Sequence, residues 1–156
     1  MNAALSAWRR LQAKPFGKAI FSRAVCFKAP YFSSISPRFL ELAPGIARVA
    51  MKKRRAVQNH IGTVHAIAMC NLAEIAAGTV TEVSIPESMR WLPKGMTVEY
   101  LKKAVGPMHG VATPAAALTD AGDGQDWPVE VLVTDAAGET VFRARVTMWV
   151  SPRKRG

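Results

Sequence analysis

The chain has 156 residues, 49% hydrophobic and 21% charged, the size and balance of one globular domain, which excludes wholesale disorder. No apolar run reaches the roughly 20 residues that span a bilayer, because residues 61–80 are interrupted by His65, Asn71 and Glu74; the protein is expected to be soluble. A formal net charge of +10 favours anionic partners: nucleic acid, a membrane surface or a phosphorylated small molecule.

In chain order, no acid precedes Glu41, whereas Arg9, Arg10, Lys14, Lys18, Arg23, Lys28 and Arg38 are basic. An acid-free amphipathic start also has the composition of an organelle transit peptide; it is read here as part of the fold. Residues 3–13 and 16–28 carry apolar positions at helical spacing (Leu5, Trp8, Leu11, then Phe16, Ile20, Phe27). Pro15 and Gly17 separate them and Pro30 follows, so two short helices are predicted as an N-terminal extension over 1–29. A Ser- and Pro-bearing loop leads to "RFLEL" and "IARVAM", two strands joined by a turn at Pro44-Gly45.

A long helix follows. Gly62 and Thr63 are predicted to start it, with Thr63 as N-cap, and Gly78 to end it. Its apolar residues occupy nearly every angle, which predicts a helix surrounded by protein. After Pro86 the pattern turns extended: "MTVEYLKKA", "HGVATPAAAL", and a hairpin from Trp127 to Val150 turning at Ala137-Gly138, with the polar segment 119–126 as a turn. The predicted class is α+β, an antiparallel sheet curled around one central helix; helices do not alternate with the later strands, so a parallel doubly wound sheet does not fit.

Cys26 and Cys70 lie 44 positions apart with no ligand spacing near either, so neither a structural zinc site nor a disulfide is indicated. Two thiols in a reducing cytoplasm are the simple reading. His60 and His109 have no companions at ligand spacing and are assigned nothing. Cys70 is about 140° off the face of His65 and is a poor nucleophile candidate.

Glu74 is the residue that needs a reason. A carboxylate in an otherwise apolar helix is costly unless it is held or used. Nine residues separate it from His65; at about 100° and 1.5 Å per residue, the two side chains point to opposite sides, about 13.5 Å apart along the axis. One chain cannot join them in one site. If both are functional, His65 of one subunit must meet Glu74 of another, twice in a two-fold dimer.

The pattern Asn59, Gly62, His65, Ala66 and then Glu74 within "LAE" resembles hotdog-fold acyl-CoA thioesterases of the phenylacetyl-CoA thioesterase type. Those carry Asn, then His-Gly-Gly, then a helical Asp or Glu at the same offsets. The resemblance covers about 45–150, and the N-terminal helices suggest a less-characterised branch. It implies a single hotdog domain over 1–156 with its core at 38–151, and an acyl-CoA substrate cleaved at a dimer interface without metal or other cofactor. N–H groups at His65 and Ala66 would polarise the thioester carbonyl. Glu74 would act as general base or nucleophile. Asn59 would orient the loop or the water, beside Gly62 and Thr63. Two departures are visible: Ala66 replaces the usual Gly, and the Ser or Thr of some relatives falls near Lys94.

Arg54 and Arg55, from "KKRR", would hold coenzyme A phosphates near the cleft mouth; Lys94, and then Lys102, Lys103, Arg143 and Arg145, are further candidates. Plainer roles stand beside these. Glu74 could be an interface ion-pair residue, His65 a helix cap, Asn59 a turn residue, and the basic run a solvated surface. A non-catalytic acyl-binding hotdog protein is the main alternative function. An acyl-CoA dehydratase or hydratase ranks lower, because those place their His/acid pair differently. A nucleic-acid or membrane-surface binder is the third class, and nucleic acid is not expected, because aromatics do not interleave with the basic runs.

Overall fold

In the computed structural model, residues 2–119 and 122–153 are described; the middle of the predicted polar turn (120–121) and the last basic residues lie outside them. The apolar stretch forms one helix, α3 (Ala66–Ser84), with twelve of its 19 residues buried. By length and by the mean hydropathy of 1.2 of an 18-residue window, α3 would suffice to cross a membrane, yet 67% of that window is buried within the protein, as suits a core helix.

Both predicted ends of this helix are corrected. The N-cap is His65, not Thr63: the imidazole Nδ1 accepts from the Ile67 N–H at 3.0 Å. The Thr63 hydroxyl is instead engaged by Asn59. Nor does Gly78 end the helix. It sits mid-helix where a Cβ would lie 2.8 Å from the Trp91 ring, so glycine serves close packing rather than a left-handed cap. The helix runs on to Ser84 because Pro86 is the next true stop, holding Ile85 extended (φ −84°, ψ 153°).

Around α3 lie β1 (Arg38–Ala43), β2 (Ile46–Met51), β3 (Met89–Tyr100), β4 (Met108–Pro114), β5 (Gln125–Thr134) and β6 (Thr140–Pro152). They form one antiparallel six-stranded sheet in the order β1-β2-β4-β5-β6-β3. The wrapped arrangement is the hotdog fold. Inward residues alternate along the central strands; Val129, Val131 and Val133 of β5 and Phe142, Ala144 and Val146 of β6 are all at most 1% exposed. Alanines 73, 76 and 77 on α3 are fully buried and let the helix settle close to the sheet. At Gly110 of β4 an added Cβ would stand 3.2 Å from Leu72.

Strand β3 begins seven residues before the predicted Met96. Pro93 is tolerated within it because β3 is an edge strand, and a bulge between Pro93 and Gly95 absorbs the irregularity. The strand ends at Tyr100 because Leu101 and Lys102 turn their N–H groups to the Val141 carbonyl.

The N-terminal helices are α1 (Ala3–Leu11) and α2 (Gly17–Lys28). They cover the opposite flank, where Trp8, Phe21 and Phe39 stack edge-on at 5.1 and 5.2 Å between centroids. The Ser22 hydroxyl accepts from the Phe39 N–H and donates to the Lys18 carbonyl. Asn2 caps α1 and also donates to Glu82 Oε1 at 2.8 Å, while Glu82 Oε2 accepts from Trp91 Nε1 at 2.7 Å. This tie fastens α1 to the far end of α3 and to β3.

Candidate active site

The loop entering α3 is organised by its own residues. Asn59 Oδ1 accepts from the N–H groups of Ile61 (3.1 Å) and Thr63 (3.0 Å), and its Nδ2 donates to Thr63 Oγ1 (2.7 Å). Gly62 turns the loop at φ 79°, where a side chain would be strained. The loop is anchored below by Val64 N–H to Ala104 and His65 N–H to Val57, both 2.8 Å.

Two consequences follow for the helix start. The His65 N–H is committed to Val57, so it is not a second donor for an oxyanion. The Ala66 N–H donates no hydrogen bond among the described residues and remains open, as the first N–H groups of a helix do. Because His65 Nδ1 accepts from Ile67, the neutral ring carries its proton on Nε2. That atom is the exposed residue's one free donor.

Glu74 is half-buried and makes no hydrogen bond or ion pair among the described residues. One turn before it, Cys70 Sγ lies 3.4 Å from the Tyr100 hydroxyl; one turn after it, Gly78 lies under Trp91. Glu74 therefore stands over the inner face of β3, between Trp91 and Tyr100. That face is open: Met96 is 37% and Tyr100 50% exposed although both are in register with buried residues of β6, and Ile67 on α3 is also exposed. Bonding to Cys70, aided by burial and by charge on that thiol, pushes the Tyr100 phenol up to about 12, so it is a neutral hydroxyl at pH 7. Nothing in the sequence singled out Tyr100 beyond its phase with Met96 and Val98.

The other residues separate into two groups. Arg54 donates to the Ser34 carbonyl, and its Nε is buried with no acceptor; Arg55 starts a short 3-10 turn (Arg55–Val57) and is exposed. Both precede a cavity of about 160 Å³ lined by Ser34, Ile35, Val57, Gln58, His65 and Asn71. Asn71, 7% exposed, donates to Ser34 Oγ at 3.2 Å there. Lys94 is elsewhere. It pairs with Asp126 at 2.8 Å and lies 5.2 Å from the Trp149 ring centre, on the outer face of the sheet. Asp126 and Trp149 alternate with inward Trp127 and Met148. Lys102 pairs with Glu139, Arg143 with Glu99 and Arg145 with Glu130, so they too are engaged on the surface. The structure thus gathers Asn59, Gly62, Thr63, His65 and Ala66 at one end of α3 and leaves Glu74 on its other side; Lys94 joins neither.

Solved structures share this fold. A crystal structure named genomics APC5556 is 47% identical, with a TM-score of 0.83 and coverage of 96% of this chain and 98% of that one. The thioesterase HI1161 of Haemophilus influenzae superposes with a TM-score of 0.76 at 14% identity, covering 93% of this chain and 97% of its own. A thioesterase family protein of Silicibacter pomeroyi gives 0.72 at 17% identity, covering 89% and 100%. Among curated proteins, none matches. The model of a domain of unknown function, DUF4442, matches residues 17–150, and the chain belongs to that family.

Proposed function

We propose that the protein is an acyl-CoA thioesterase acting in the cytoplasm as a homodimer, alone or as a dimer of dimers, with the whole chain forming one hotdog domain. The observation that carries this reading is Glu74: a half-buried carboxylate without a partner among the described residues, beside an open apolar strip on an edge strand. A two-fold partner covering that strip would bring its own loop 59–66 opposite Glu74.

In that arrangement the Ala66 N–H receives the thioester oxygen, aided by the positive end of α3. His65 Nε2–H is a further donor at the same end. Glu74 takes the proton of an attacking water, or attacks the carbonyl itself, and the coenzyme A thiolate leaves. Asn59 holds the loop in shape, and Arg54 and Arg55 supply positive charge for phosphates.

The test is thiol release from short-chain, long-chain and aryl CoA thioesters by the wild type and Glu74→Gln. Loss of a general base predicts a fall of roughly 10²–10⁴ in kcat with an unchanged melting temperature. A wild type that binds these thioesters without turnover would instead support a second reading, acyl binding without hydrolysis. The commitment of the His65 N–H to Val57 favours that reading, since it leaves one main-chain donor where the resemblance implies two.

A further inference from the structure

Thioester chemistry leaves the basic start of the chain without a role. Helix α2 buries Gly17, Phe21 and Ser22 against the domain. On its other side Ile20, Arg23 and Phe27 fall within a sector of about 60°, and Phe16 stands just before them. Phe27 is 92% exposed, Phe16 84% and Ile20 52%; Tyr31, just past the helix, is 66% exposed. Single exposed apolar residues are ordinary, but a row running about 16 Å along one helix is a patch.

Phe16 adds a separate oddity. It occupies the left-handed region at φ 59°, which bulky side chains avoid. Neither burial nor backbone geometry accounts for a phenylalanine there, so its use lies outside the folded chain. The flanking charge has one sign. Arg10, Lys14, Arg23 and Lys28 are exposed and form no ion pair or hydrogen bond among the described residues, and no acid precedes Glu41.

We propose that this face of α2 docks the protein on an anionic lipid bilayer. Phe16, Ile20 and Phe27 enter the headgroup region while the flanking Lys and Arg meet lipid phosphates and carboxylates. A lipid surface suits the shape better than an acidic protein does. The rings project from a convex helix rather than lining a groove, and a bilayer closes around projecting rings, whereas protein contacts centre on packed, desolvated pockets.

The experiment is co-sedimentation of the full chain with vesicles of phosphatidylcholine alone or mixed with phosphatidylserine. It is repeated for Phe16→Asn/Phe27→Ser and for Arg23→Glu/Lys28→Glu. All four side chains are exposed and Asn tolerates a left-handed backbone, so both variants should keep the wild-type denaturation midpoint. The expected result is binding to the anionic vesicles only, weakened by salt and reduced at least tenfold in each variant. Wild type that stays in the supernatant, or variants that pellet like wild type, overturns the proposal. So does a loss of oligomer mass in the phenylalanine variant without lipid, which would make the face a contact between copies.

Discussion

Glu74 and Glu82 lie about two turns apart on α3 and meet opposite surroundings. Both oxygens of Glu82 are taken, one by Asn2 and one by Trp91, and the helices and strand around it are closed. Glu74 has no partner among the described residues, and the strand beneath it exposes Met96 and Tyr100. Two carboxylates on one helix of one chain thus divide into a structural fastening and a group left available. What separates them is the neighbouring elements: α1 reaches the C-terminal half of α3, and nothing in the described chain covers the side bearing Glu74.

This contrast can be broken most sharply at the helix start. Ala66→Pro removes the open Ala66 main-chain donor while keeping the helix, since proline suits the first helical position and His65 already has the extended backbone (φ −65°, ψ 138°) that precedes proline. Thioesterase activity should drop about 10²–10³-fold with the far-UV CD spectrum intact; full activity would remove Ala66 from the mechanism. Mixing Ala66→Pro with Glu74→Gln after co-refolding sharpens the two-chain site further. Half the dimers are then mixed, each with one intact site, so activity should recover to about a quarter of wild type. No recovery would place both residues in one chain's site.

Glu82→Ala tests the other half of the comparison. It strips two charge-assisted hydrogen bonds and should lower stability by about 2 kcal/mol, read by urea denaturation, while leaving kcat unchanged. Gly78→Ala should have a smaller effect. Overpacking against Trp91 costs about 1–3 kcal/mol, offset by about 1 kcal/mol of helix propensity. The smallest effect is at alkaline pH. The Tyr100 pKa is raised to about 12 in the folded protein against about 10 unfolded, so between those values the folded state binds the extra proton. Stability from Tyr100 is fully present below pH 10 and falls as pH rises towards 12. Tyr100→Phe should flatten that fall, measured as denaturation midpoints at pH 9 and 11.

The legible parts of the site were those made by neighbours in sequence. Asn59 reads as a turn or loop-orienting residue, and it bonds within four residues of itself. The opposition of His65 and Glu74 needs only the pitch of a helix. The less legible parts depended on residues far along the chain. Thr63 looked like the cap, yet His65 took the role once Asn59 had claimed the threonine hydroxyl. Lys94 looked close to the site by counting from relatives, but beside the bulge at Pro93–Gly95 it lies with Asp126 and Trp149 on the outer face, since one inserted residue changes which side a strand presents.

By itself the sequence determined the α+β class, the central helix, the β1–β2 and β5–β6 hairpins and the phase between the two candidate residues, because periodicity and turn chemistry are local. Only the tertiary structure decided where α3 ends, which carboxylate is fastened and which is open. Those outcomes rest on contacts between distant residues, Gly78 under Trp91 and Asn2 on Glu82 across 80 positions, whose pairing no local pattern encodes.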